Sequence, residues 1–271
     1  MNLPTQKRAL KCAVEAAHAA GAVMRKNFRS AKRVNFESQF DIKLELDVRC
    51  QKLIEKILGR AFPEAALLGE EGNKGNANAE YRWVVDPIDG TVNFAYEIPH
   101  CCVSIALQRK VQGSKSKVQS QRVPDYESLV GVVYDPFCDE LWTAIGGQPA
   151  RLNGRIIRVS KRRRLEDAIV SIGFGKTDLS VRKTLVYFNN LLPRIRKARM
   201  MGAGALALAY VASGRLDAYI ESHISLWDIA AGGLILECAG GDFWHRPIEG
   251  PNAYRLLANN GLLRRSLERL R

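Results

Sequence analysis

Trp83-Val84-Val85-Asp86-Pro87-Ile88-Asp89-Gly90-Thr91 is an apolar strand that leads into two carboxylates three residues apart, across a Pro and Gly turn. Apolar, β-branched runs bounded by such residues predict strand ends. Both acids can converge on one point there. Hard cations such as Mg²⁺ take oxygen ligands in a rigid octahedral set, which Asp86, Asp89 and the carbonyl of Ile88 supply. If a helix or turn starts at Asp89, the open amides of Gly90 and Thr91 favour a phosphate oxygen. Asp-Pro and Asp-Gly pairs also make ordinary turns, so the motif has to be read with its neighbours.

Gly69-Glu70-Glu71-Gly72 likewise follows the apolar run 66–68, and Trp227-Asp228 opens an apolar helix containing Ile229, Leu234 and Leu236. Asp228 is also an N-cap candidate. Four acids thus end or begin core elements, and their coincidence carries more weight than any one of them. Upstream, Leu10, Val14, Ala17, Gly21, Met24 and Phe28 recur at helical spacing. A second helix follows Asp47, with Cys50, Leu53, Ile54, Ile57 and Leu58 on its buried face, until Pro63. The runs 66–68, 83–85, 101–107, 129–134 and 140–144 read as strands of one sheet. From Ala168 strands at 216–221 and 255–258 alternate with helices at about 180–192, 203–213, 228–239 and 261–270. That alternation predicts layered α and β elements. We expect an N-terminal α+β half, 1–150, and a C-terminal α/β half, 151–271, packed as one unit. Residues 110–128, rich in Lys, Ser and Gln, read as a surface loop.

The 271 residues, 46% hydrophobic and 25% charged, exclude disorder and a fibrous chain. No run approaches the ~18 apolar residues of a membrane span, and the first 33 positions are too charged for a signal peptide, so a cytoplasmic location is expected. The cysteines (Cys12, Cys50, Cys101, Cys102, Cys138, Cys238) show no metal spacing and read as reduced core thiols. The net charge of +13 sits in clusters such as 161–164 and 194–199 that lack interleaved aromatic residues. A solvated surface that draws in anionic substrates therefore accounts for it better than an RNA-binding face.

The stretch Asp86-Pro87-Ile88-Asp89-Gly90-Thr91-Val92-Asn93-Phe94, with Gly69-Glu70-Glu71 and Trp227-Asp228-Ile229-Ala230-Ala231-Gly232, resembles the signature of the inositol monophosphatases. The resemblance runs from the first helix to Gly241, and 255–259 is compatible with the family's last strand. It implies an αβαβα sandwich shared with fructose-1,6-bisphosphatases, a homodimer, and lithium-sensitive Mg²⁺-dependent hydrolysis of a phosphate monoester. Residue by residue, it implies that Glu70, Asp86 and the Ile88 carbonyl hold one metal. Asp86, Asp89 and Asp228 hold a second, in a site of two or three Mg²⁺ ions. Thr91 with Asp47 would position the attacking water, Glu70 would help remove its proton, and Glu71 would stand behind the ligands. The substrate would meet Asp89, Gly90, Thr91, Ala203, Gly204, Asp228 and Glu221, the last taking a hydroxyl of the leaving group.

Two departures bear on specificity. Gly202-Ala203-Gly204-Ala205 stands where the family commonly has a small hydroxyl residue followed by Ala. Phe36 stands near a position where some members offer Lys, with Lys43 as a substitute. The expected substrate is inositol monophosphate or a related polyol or sugar phosphate. Histidinol phosphate, fructose-1,6-bisphosphate and adenosine bisphosphate are the rivals. An added RNA- or transcription-directed binding role belongs to a different class of function.

Overall fold

The computed structural model describes residues 1–39, 42–111, 126–175 and 178–270. Most of the expected loop at 110–128 lies outside them. Helix α1 (Leu3–Asn27) begins where Asn2 accepts the Thr5 amide at 3.0 Å, satisfying an amide with no intrahelical acceptor. Its buried face is almost all alanine and glycine. It therefore lies close to the sheet beneath: a Cβ on Gly21 would stand 2.6 Å from the Tyr134 ring. The hairpin β1 (Val34–Glu37) and β2 (Ile42–Leu44) leads into α2 (Glu45–Ala61). That helix ends at Phe62, one residue ahead of Pro63.

A large sheet follows. Its strands are β3 (Ala66–Gly69), β4 (Gly72–Lys74), β5 (Tyr81–Asp89), β6 (Cys102–Lys110), β7 (Tyr126–Asp135), β8 (Glu140–Ile145), β9 (Arg151–Leu152) and β10 (Arg155–Ile156). The short helix α3 (Thr91–Ala95) lies between β5 and β6. The order is β10-β9-β8-β7-β6-β5-β3-β4, antiparallel except where β3 runs parallel to β5. All five apolar runs read as strands of one sheet fall here.

The second sheet holds β11 (Ile169–Gly173), β12 (Lys197–Arg199), β13 (Ala218–Ser225), β14 (Asp242–Pro247) and β15 (Ala253–Asn259), in the order β12-β11-β13-β15-β14. Around it lie α4 (Asp178–Leu191), α5 (Gly204–Ala212), α6 (Leu226–Cys238) and α7 (Arg264–Glu268). The last is far shorter than the helix expected over 261–270.

Side-chain alternation along the strands explains the layering. Trp83, Val85, Val103, Ile105 and Leu107 face α1 and α2. On the opposite face, Val84, Cys102 and Ala106 meet α5 and α6, which also touch Tyr219, Ile224, Leu256 and Ala258 of the second sheet. The far face of that sheet packs Val170, Ile172, Ala218 and Leu257 on Tyr187 and Leu191 of α4 and Leu267 of α7. The result is the layered αβαβα sandwich. Helices α5 and α6, covered on both sides, are apolar all round, as a doubly buried helix must be. Among the described residues no helix is long and apolar enough to cross a membrane. All six cysteines are unpaired; four are buried, but Cys138 is exposed and Cys238 half-buried, which corrects the expectation that all lie in the core.

Candidate active site

Residues three apart on a regular strand point to opposite faces, so Asp86 and Asp89 need a local irregularity to converge. The structure places it inside β5. Pairing with β6 shifts register between Asp86, opposite Ser104, and Asp89, opposite Cys102. The element expected as a turn is therefore a bulge within the strand, a setting in which Pro87 costs an interior strand little. The chain turns only at Gly90, whose φ of 89° is left-handed. A Cβ there would meet the His100 carbonyl oxygen at 3.0 Å. Helix α3 starts at Thr91 rather than Asp89.

Asp228 arrives from the layer between the sheets. It is the third residue of α6, and its Oδ2 accepts the Ser225 amide at 3.0 Å. Ser225, not Asp228, is the N-cap. Asp47 repeats this geometry in α2, accepting the Leu44 amide at 2.7 Å. Both acids are thereby aimed back over the start of their helix. Helix α6 is fixed against the large sheet by Ser104 Oγ donating to the Trp227 carbonyl (3.0 Å) and Ser128 Oγ to the Ala230 carbonyl (3.1 Å).

Carboxylate oxygens of Asp86, Asp89 and Asp228 lie within 4.8 Å of one another. Glu70, just past β3, stands outside that triple but lines the same cleft. Its amide donates to the Val85 carbonyl at 3.2 Å. Thr91 Oγ1 donates toward the Ile88 carbonyl (2.9 Å) and Asp47 Oδ1 (3.3 Å). Glu71 points elsewhere and pairs with Lys43 at 3.1 Å. Phe36, opposite Lys43 in the hairpin, is exposed.

Asp89 is further held by the amides of Gly204 (3.1 Å) and Ala205 (2.7 Å), and Cys102 Sγ approaches it at 3.6 Å. The first turn of α5 thus caps itself on a carboxylate from another layer. This is why Gly202-Ala203-Gly204-Ala205 needs no hydroxyl of its own to start a helix. A Cβ on Gly204 would stand 2.9 Å from Ile224 Cδ1. Across the cleft, Tyr219 donates to Glu221. The cleft encloses about 1150 Å³, part of it open to solvent.

Asp86 is 2% exposed and Asp89 7%. Burial, then the charges of Glu70, Asp89 and Asp228, hold the Asp86 carboxyl well above the usual range. Burial pushes Asp89 up to about 6 despite the Ala205 and Gly204 amides. Burial likewise pushes Asp47 up to about 7, opposed by the Leu44 amide and assisted by Glu70 and Glu71. Such mutual repulsion among buried oxygens is what a hard divalent cation relieves. The all-oxygen donor set fits one.

A family model described as "Inositol monophosphatase family" matches residues 5–269. The chain belongs to the inositol monophosphatase family. Membership makes it a phosphoric monoester hydrolase of a metal-dependent kind. It is 39% identical over 239 residues to Inositol monophosphatase 1 of Solanum lycopersicum, covering 86% of this chain and 82% of that one. It is 36% identical to Nus factor SuhB of Xylella fastidiosa, covering 94% and 91%. The inositol monophosphatase structure from Anabaena superposes with a TM-score of 0.80 at 34% identity, covering 97% and 95%.

Sequence reasoning missed several contributors. The Ala205 amide and the Trp227 carbonyl are backbone groups and carry no residue signature. Gln51 clamps the Glu70-Glu71-Gly72 turn, accepting the Glu71 amide and donating to the Gly72 carbonyl, each at 2.9 Å. It sits on α2 beside Arg49 and Lys52, and nothing in that local pattern marks it as buried. The Ser225-x-x-Asp228 spacing is a capping-box pattern and could have been found.

Proposed function

We propose that this enzyme hydrolyses inositol monophosphate or a closely related polyol phosphate, with Mg²⁺ held by Glu70, Asp86, the Ile88 carbonyl, Asp89 and Asp228 in two or three positions. The carrying observation is the convergence of Asp86, Asp89 and Asp228 oxygens within 4.8 Å. When bound, the metal polarises the phosphoryl group and makes water a usable nucleophile near neutral pH. Thr91, oriented by Asp47 and the Ile88 carbonyl, presents its hydroxyl to the attacking water, and Glu70 takes the proton that water sheds. The amides of Gly90 and Thr91, lacking intrahelical acceptors, face phosphate oxygens. Burial of Asp86 and Asp89 keeps water from competing for the same oxygens. The leaving alcohol lies toward Ala203, Gly204 and Glu221, whose carboxylate accepts from a hydroxyl.

Relatives named inositol monophosphatase support the polyol. We further propose a cytoplasmic homodimer. The test is a panel of inositol 1-phosphate, histidinol phosphate, fructose-1,6-bisphosphate, adenosine bisphosphate and an aryl phosphate, assayed with Mg²⁺, with EDTA, and with added Li⁺. Inositol 1-phosphate should be hydrolysed best, EDTA should abolish the rate, and roughly millimolar Li⁺ should inhibit by competing in an oxygen site. Turnover that persists in EDTA overturns the metal assignment.

A second reading, an added role at the transcription machinery, is favoured by relatives named Nus factor and by the charge of +13. Salt-dependent retention of single-stranded RNA by the Asp86→Asn protein would support it, and no retention at low salt would end it.

A further inference from the structure

Strand β13 carries one residue toward the cleft for which neither the fold nor the chemistry above has a use. Its pairing with β15 shifts register between Glu221 and Ile224, leaving Ser222 and His223 in a bulge. Ser222 turns to α4, where its hydroxyl meets Thr184 Oγ1 at 2.6 Å and the Ser180 carbonyl at 3.1 Å. His223 turns the other way and lines the cleft beside Glu221 and Phe174. The placement is built into the backbone. A Cβ on Gly175 would stand 2.7 Å from His223 Cβ, so the glycine leaves the room that His223 occupies. Among the described residues nothing takes up the ring nitrogens. A half-buried imidazole fixed by its strand, with open donor capacity, faces the space where the leaving group lies.

Glu221 can only accept from a hydroxyl, whereas either neutral imidazole tautomer carries one N–H that donates. Both side chains line the same cleft two residues apart on one strand, so their polar heads can meet one small alcohol. A polyol with neighbouring hydroxyls presents one to each, whereas an alkyl or aryl phosphate with no free hydroxyl presents none. We infer that His223 is a specificity-determining residue, donating to a second oxygen of a polyol whose first hydroxyl is held by Glu221. The inference rests on the polyol-phosphatase reading above.

The experiment compares wild type, His223→Gly and His223→Gln, all with saturating Mg²⁺, on inositol 1-phosphate, propyl phosphate and p-nitrophenyl phosphate. His223→Gly should lower kcat/KM on inositol 1-phosphate roughly tenfold, chiefly through KM, as loss of one hydrogen bond implies. The two esters with no free hydroxyl should change by less than about twofold. The amide of His223→Gln can still donate and should recover most of the loss. An equal fall on all three esters would mean that His223 supports the fold or the acidic cluster, and no change on any would mean that it faces solvent; either overturns the anchor. If wild type hydrolyses none of the three, the phosphatase reading itself fails. If it hydrolyses p-nitrophenyl phosphate normally while His223→Gly matches it on inositol 1-phosphate, only the anchor fails.

Discussion

Asp86 contributes to the site by being disfavoured. It is buried next to two other carboxylates, and its charge there is relieved by a proton or by a cation. Asp86→Asn keeps the Oδ1 that accepts the Ile88 amide at 3.0 Å while removing the charge. We expect turnover to vanish, and the melting temperature measured in EDTA to rise by roughly 2–6 °C as repulsion is lost. Wild-type rates in this variant at saturating Mg²⁺ would sink the assignment. Glu221 is the opposite case, a side chain whose value lies in what it accepts. Glu221→Ala should cost polyol phosphates about ten- to a hundredfold in kcat/KM and aryl phosphates far less. Gly173→Ala, which sets a methyl on top of the Glu221 carboxylate, should reproduce part of that selective loss without deleting the acid. Equal losses on both ester types would mean that Glu221 serves the fold. Asp86, Asp89, Glu70 and Asp228 were legible in the sequence because acids at the ends of apolar runs are conspicuous. Tyr219 and Cys102 were not, since each looks like an ordinary core residue until its neighbour across the layer is known.

Elements decide how finely these residues are placed. Helix α6 lies so near β7 that a Cβ on Gly131 would be 2.8 Å from the Ala231 carbonyl oxygen. Backbone stands on both sides of that contact, so neither can give cheaply. Gly131→Ala should cost about 1–3 kcal/mol of stability. By lifting α6 and Asp228, it should also raise the Mg²⁺ concentration for half-maximal activity. A variant with unchanged melting temperature and unchanged Mg²⁺ dependence would show that α6 does not rest on this contact. The long helices and the apolar strands were readable from their periods. The bulge in β5 was not, because a bulge is a property of pairing with β6 and leaves no mark on β5 alone beyond Pro87. Short strands such as β9, β10 and β12 escaped for a similar reason: two or three residues hold no period, and their partners define them.

At the scale of the molecule, the site is a store of protonation energy. Asp47 and Asp89 keep protons up to about 7 and about 6, against 3.8 for an ordinary aspartate. Between about pH 4 and 7 the folded chain therefore binds protons that the unfolded chain has released, and stability falls as pH rises through that window. His100 and His245, held below the ordinary imidazole range by burial, act oppositely toward acid. The comparison must accordingly be made against Asp47→Asn. Wild type in EDTA should lose more stability between pH 6 and pH 8 than that variant does, and Mg²⁺ should restore more of it at pH 8, where fewer protons compete. Identical pH dependence in the two proteins would refute the burial argument. The layered class was legible from the alternation of helix and strand; the strand order was not, because pairing between distant segments has no local trace. One contact carries that lesson into time. Asp89 takes its amides from residues 115 and 116 positions further along the chain, so no nascent half can bind a cation as the whole does. During refolding, helix content should recover first and cation affinity last, and the interval between them is how long the two sheets take to find each other.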